Sequence, residues 1–284
     1  MTFRKMNGLG NDFVVLDGRA APFRPSEAQV RRIADRERGV GCDQLIVLEP
    51  SPEGADACMR IYNSDGGEVE ACGNAARCIA QLLAAETGRS RVTIETAPAV
   101  LGAQVHGDGT VTIDMGEPRF RWDQIPLAEE FHDTTGIELQ VGPIDAPVLH
   151  TPSVVNVGNP HCIFWVGDVA AHDLARIGPI LEHHPLFPER ANISLAQVTA
   201  PGAITLKVWE RGAGLTRACG TAACAAAVAA ARKKLTGRDV TVTLPGGPLR
   251  ILWRDDNHIL MTGPAQLDYE AELDPALLGA DPVG

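Results

Sequence analysis

No stretch of this 284-residue chain reaches the roughly 18 apolar residues of a membrane-spanning helix, so no membrane partner is expected. The alanine-rich run from Ala222 to Ala231 is too short and too weakly apolar. No apolar segment follows Met1-Thr2-Phe3-Arg4-Lys5, so no secretion signal is read there. Seven cysteines is an odd number, and their spacing is not that of a disulfide framework. A reducing cytoplasm with reduced thiols is therefore the expected setting. Nor is there a Cys-x-x-Cys pair or a usual zinc-knuckle spacing around the two repeated cysteines (78 − 72 = 6; 224 − 219 = 5), which argues against a redox or metal-binding protein. No metal site is expected. Positive charge is also scarce. A net charge of −11 and a pI of about 5.2 argue against a general binder of phosphate backbones, so nucleic acid is not an expected partner. One local cationic spot for an anionic ligand remains compatible.

What is present is ordinary for a globular chain: 45% hydrophobic and 21% charged residues, with length for two domains. The informative feature is a stretch that occurs twice. One copy runs from Asn63 through Ala71-Cys72-Gly73-Asn74-Ala75-Ala76 to Cys78, the other from Glu210 through Ala218-Cys219-Gly220-Thr221-Ala222-Ala223 to Cys224. Each has a polar residue nine positions before its first cysteine (72 − 63; 219 − 210), and each runs into an alanine-rich segment. Gly10-Asn11 precedes the first cysteine by 61 residues and Gly158-Asn159 the second by 60, counted from the asparagines. That distance is too long for a solenoid repeat and indicates a duplicated half. Two equivalent halves facing each other would put two thiols on opposite sides of one cleft.

Local patterns supply the elements. Asn7-Gly8-Leu9-Gly10-Asn11-Asp12 reads as a turn between strands Phe3–Met6 and Phe13–Asp17. Asn11 alone would be a turn residue; its pairing with Asn159 points to ligand contact. Ser26 caps a helix that spacing extends to Arg36. Gln44 opens the apolar strand Leu45–Leu48, and Ala57–Asn63 is another strand. A helix is expected over Asn74–Glu86, stopped at Gly88. Cys42, Cys78 and Cys162 read as packed side chains. The pattern pauses at Gly116-Glu117-Pro118, where the domain boundary is placed: 1–118 with 264–284 form one domain, and 119–263 the other. In the second, Ser153–Val157 leads into Gly158-Asn159-Pro160-His161. Asp173–His183 reads as a helix, Asn192 opens the strand Ile193–Val198, Ile204–Trp209 ends at Glu210-Arg211, and a helix covers Thr221–Lys234.

A thiol at a helix N-terminus is favoured as thiolate, so Cys72 and Cys219 are expected to have pKa values lowered from about 8.5 toward neutrality. The amides of Gly73, Asn74, Gly220 and Thr221 can bind a carboxylate, and the glycine after each cysteine permits close approach. Two such mouths over one amino acid make a proton-transfer pair. One thiolate removes the α-hydrogen, and the other thiol returns a proton to the opposite face with inversion. Such a scheme needs no metal or organic cofactor in principle. Glu210 and Arg211, nine and eight residues before Cys219, are expected to line the cleft.

These motifs, with Arg38-Gly39-Val40-Gly41-Cys42-Asp43-Gln44 and Asn192, give the chain a layout that resembles the diaminopimelate epimerase family. The resemblance implies two similar, pseudo-symmetric α/β (α+β) domains, each a curled, mainly antiparallel sheet or barrel around a central helix, with the active site in a cleft between them. It implies a cytoplasmic homodimer without cofactor that interconverts LL- and meso-2,6-diaminopimelate in lysine and cell-wall precursor synthesis. On that match Cys72 and Cys219 are the acid/base pair. Asn11, Gln44, Asn63, Gly73, Asn74, Asn159, Asn192, Glu210, Arg211, Gly220 and Thr221 contact substrate, and His161 and Glu210 adjust thiol protonation. The chain departs from the pattern at Ala75 and Ala222, where glycine is expected; both substitutions keep the backbone donors. The rival reading within this chemistry is a proline or hydroxyproline racemase.

Overall fold

Strict alternation in Asp239-Val240-Thr241-Val242-Thr243-Leu244 puts Val240, Val242 and Leu244 on one buried face of a strand, as a period of two requires. The unbroken apolar runs Phe13–Leu16 and Leu45–Leu48 are instead buried throughout, which marks interior strands covered on both faces. The computed structural model describes residues 1–69, 72–97 and 99–279. Glu70 and Ala71 of the first repeated stretch, Pro98, and positions 280–284 of the tail assigned to the first domain lie outside the described residues. The chain forms two compact units, Met1–Ile113 with the segment from Gly263 onward, and Asp114–Thr262.

In the first unit, Thr2–Gly8 pairs antiparallel with Asn11–Asp17, which runs parallel to Gln44–Glu49. That strand pairs antiparallel with Ala57–Asn63, which in turn borders Glu68–Val69 antiparallel and Arg91–Glu95 parallel. Val100–Val105 and Thr110–Asp114 continue antiparallel. The second unit repeats this order with the same senses. Ser153–Asn156 is antiparallel to Pro160–Trp165, which is parallel to Asn192–Ala200, itself antiparallel to Ala203–Glu210. Gly214–Thr216 pairs antiparallel with that last strand and Asp239–Leu244 parallel to it. Gly247–Trp253 and Ile259–Pro264 complete the meander. The helices Glu27–Ala34 and Leu174–Glu182 occupy equivalent crossovers, as do Gly73–Thr87 and Gly220–Arg232. The duplication read from sequence is thus a duplication of topology.

The latter two helices are the cores of their units. Ten of the 13 residues in Gly220–Arg232 are buried, and strands from Ser153 to Trp253 pack around it. A helix apolar on every side must be enclosed, and alanine lets the sheet close tightly upon it. Gly73–Thr87 buries nine of 15 residues against Thr2–Gly8, Arg91–Glu95 and Val100–Val105. Both helices begin at the glycine, one residue before the expected start. The helix expected to reach Arg36 ends at Ala34, where Asp35 turns to extended backbone. Ser26 and Gln29 form a full capping box at its start.

The first unit ends at Ile113, before the pause at residues 116–118. The reason is local: Asp114 meets His258 at 2.9 Å, Met115 N–H donates to Ile259 O, and Glu117 accepts from Asn257. These bonds tie residues 114–117 into the second unit. The tail strand Gln266–Glu272 pairs antiparallel with Thr2–Gly8. Among the described residues no helix is long and apolar enough to cross a membrane.

Candidate active site

Each repeated cysteine is the residue immediately before its helix. Cys72 has φ −147° and ψ 111°, Cys219 φ −135° and ψ 107°, and neither side chain caps its helix. The first helical amides, from Gly73-Asn74 and Gly220-Thr221, lack intrahelical acceptors by construction. Ala75 and Ala222 are fully buried, so their methyl groups point into the packed core. Cys42, Cys78 and Cys162 are buried as expected, and desolvation pushes the first two thiols up to about 12.

Around Cys72 the site is built of amides. Its Sγ lies 3.9 Å from Asn11 Oδ1, and Asn74 Nδ2 donates to the same oxygen at 3.4 Å. Asn11 Nδ2 donates to Asp43 Oδ2 at 2.9 Å. Register explains the next pair: Gln44 and Asn63 are cross-strand partners, and Gln44 Nε2 donates to Asn63 Oδ1 at 2.9 Å. Gln44 Oε1 is buried with no partner among the described residues. Two residues were not singled out from sequence. Asp43 anchors the Asn11 loop, and Arg77, fully buried, donates to Asn74 Oδ1 at 2.9 Å and to Pro264 O at 3.1 Å. A cation inside an alanine-rich helix was the available signal, since the second copy places Cys224 at the same offset (77 − 72 = 5; 224 − 219 = 5).

Around Cys219 the site is acidic. Its Sγ is 3.5 Å from Thr221 Oγ1, and Glu210 accepts from Thr216 Oγ1 and interacts with the thiol itself. The thiol is held well above its ordinary range, by burial first and then by the Glu210 charge. This corrects the expectation that both thiols are acidified. Helix-end amides favour a thiolate, but complete desolvation beside a carboxylate outweighs them. Burial likewise raises the Glu210 carboxyl, opposed by its hydrogen bonds from Thr216 and Cys219.

Asn192 and His161 are paired across parallel strands. Asn192 Nδ2 donates to Pro160 O at 3.0 Å, and its Oδ1 accepts from the Arg211 N–H at 2.9 Å. The exposed Arg211 guanidinium reaches Glu189 O. His161 Nε2 is 2.7 Å from Asn159 Oδ1, an acceptor, so the proton lies on Nε2 and Nδ1 presents a buried lone pair without a partner among the described residues. Burial, reinforced by Arg211, pushes this imidazole down to about 3. It acts on its surroundings as a neutral dipole, not as a charge.

Topology makes the two sets equivalent. Gln44 lies beside Phe13 as Asn192 lies beside His161, so Asn11 corresponds to Asn159 and Gln44 to Asn192. Asn63 and Glu210 end the equivalent strands. Within the first unit the structure joins Asn11, Cys72 and Asn74, and separately Gln44 and Asn63. Within the second it joins Asn159 to His161, Asn192 to Arg211, and Glu210 to Cys219.

Solved structures share this architecture. A predicted epimerase from Pseudomonas aeruginosa matches with a TM-score of 0.68 at 19% identity, covering 96% of this chain and 98% of that one. A hydroxyproline epimerase from Agrobacterium vitis also reaches 0.68, at 16% identity over 97% and 94% of the two chains. At these identities the likeness concerns the fold alone. Sequence is more specific. The model of the family described as diaminopimelate epimerase matches residues 3–121 and 153–267. Diaminopimelate epimerases of Brucella anthropi and Chelativorans sp. are 59% and 57% identical, each over 96% of this chain and over 92% and 94% of their own lengths. One from Rhodopseudomonas palustris is 56% identical over 99% and 97%. The chain belongs to the diaminopimelate epimerase family.

Proposed function

We propose that the protein interconverts LL- and meso-2,6-diaminopimelate through two cysteines, in lysine and cell-wall precursor synthesis. The observation that carries this reading is the thiol-headed helix repeated in two units of identical topology, in a chain of this family. The substrate's reacting carboxylate is taken by the amides of Gly73-Asn74 and Gly220-Thr221, where helix ends favour negative charge. One thiolate takes the α-hydrogen as a proton. The electron pair left on carbon is delocalised into the carboxylate and stabilised by those amides. The other thiol protonates the opposite face, and the reverse reaction exchanges the roles.

The environment of Cys219 favours its protonated form, so it is the donor in the direction in which Cys72 removes the hydrogen. Gln44 Oε1 and His161 Nδ1, both buried acceptors lacking partners among the described residues, suit substrate ammonium groups. Asn11, Asn63, Asn159, Asn192 and Glu210 complete the polar lining, and Arg211 holds the distal carboxylate. A homodimer in the cytoplasm belongs to the same proposal.

Purified protein is expected to convert LL- to meso-diaminopimelate and to leave L-proline and trans-4-hydroxy-L-proline unchanged. Turnover of an imino acid with none of diaminopimelate would reject the substrate assignment, because an imino acid has no distal carboxylate for Arg211 to hold. Arg211→Ala should raise KM by about tenfold or more while changing kcat less, since a charge-assisted contact remote from the reacting carbon is removed. An unchanged KM would remove Arg211 from the substrate's surroundings.

A further inference from the structure

Glu182 is a buried carboxylate, 3% exposed, that the reaction scheme leaves unused. We infer that Glu182, through Trp209, is a positioning residue that fixes the Glu210-Arg211-Gly212 turn for substrate binding, an inference that rests on the roles proposed for Glu210 and Arg211. Gly178 and Glu182 stand four residues apart on the Leu174–Glu182 helix and so share one face. The Trp209 indole lies across that face. A Cβ on Gly178 would come within 2.5 Å of Trp209 Cγ and 2.6 Å of Cδ2, so the ring seats only because residue 178 has no side chain. From this seat Trp209 Nε1 donates to Glu182 Oε2 at 2.7 Å. The second carboxylate oxygen accepts the Gly212 N–H at 2.9 Å and lies 3.7 Å from Arg190 Nη1. These hydrogen bonds hold the carboxyl below its usual range although burial pushes it up.

The turn is therefore pinned on both sides of its two functional side chains. Trp209 is fixed before Glu210, and Gly212, with φ 76°, is fixed after Arg211. The Arg211 N–H is held independently by Asn192. Stability alone gives little reason for this arrangement, because a buried ionic group generally stabilises a fold less than an apolar one of similar size. A carboxylate does offer two oxygens in a fixed geometry, one for a side chain and one for the backbone. The first unit meets the same need with other atoms. The turn after Asn63 rests on the equivalent helix, where a Cβ on Gly66 would approach Glu27 Cβ to 2.8 Å and Arg31 Nε donates to Asp65 O at 2.5 Å. Both units thus fasten the strand end that carries a substrate-contacting residue to the crossover helix.

The test is steady-state kinetics with LL-diaminopimelate on Glu182→Gln, which loses one acceptor, and Trp209→Phe, which loses the indole donor and keeps a ring. Each should raise KM about tenfold with kcat lowered less than about threefold, because the lost hydrogen bonds act on binding geometry and not on the thiols. The double variant should fall short of the product of the single effects, since both act through one pin. Active variants with wild-type KM, or a fall in kcat at constant KM, would overturn the inference; if Glu182→Gln does not fold, Trp209→Phe alone decides by the same criteria. Wild-type protein inactive on diaminopimelate would instead remove the functional reading beneath it.

Discussion

Cys219→Ala and Cys72→Ala are each expected to lower epimerisation by about 10³-fold or more, the scale of losing a positioned acid or base. Inversion requires a proton carrier on each face of the α-carbon, so a single remaining thiol cannot complete the cycle. The loss should not be a folding effect. Cys219 is 5% exposed, and removing its sulfur deletes one small buried group, worth about 1 kcal/mol. Neither side chain caps its helix, so the helix start survives the change. Steady-state assays combined with circular dichroism separate these effects. Either variant retaining a tenth or more of wild-type turnover in a folded state would contradict the two-thiol scheme.

Acid should destabilise the second unit through His161. Its imidazole is pushed from 6.5 down to about 3 by burial, with Arg211 adding to the shift. Between those values the unfolded chain binds a proton that the folded chain refuses. The slope of unfolding free energy against pH is then positive, and stability falls as pH falls. Each pH unit in the window is worth about 1.4 kcal/mol, so acidification from 6.5 to 5.0 should cost about 2 kcal/mol from this group. His161→Asn lacks the titration. Urea unfolding at pH 7.5 and 5.0 should show the wild type losing about 2 kcal/mol more than the variant on acidification. An equal loss in both proteins would show that His161 is not held neutral.

Repetition made the thiols legible. Asn63 and Glu210 stand nine residues before the cysteine of Ala-Cys-Gly in both copies, and that offset survives as a strand end followed by a cysteine-headed helix in both units. Local chemistry was equally readable where it depends on neighbours in sequence: the Ser26 cap, the helices behind both cysteines to within one residue at their starts, and the left-handed stop at Gly88. What escaped depends on tertiary neighbours. Glu182 reaches Trp209 across 27 residues, and Arg77 reaches Pro264 across 187, so no spacing announces either contact. The acidity of Cys219 was misjudged for the same reason, because a helix end is visible in sequence while full desolvation beside Glu210 is not. Residues 119–150 fold largely without regular elements apart from the short pair Gln140–Val141 and Leu149–His150, so no hydrophobic period marks their course in the sequence.

The most direct measurement is NMR of LL-diaminopimelate turned over by the protein in deuterium oxide. Proton removal on one face and delivery on the other predicts meso product carrying solvent deuterium at the inverted α-carbon, with little label in the remaining LL substrate at early times. Meso product formed without solvent deuterium, or no exchange and no product at all, would contradict the account.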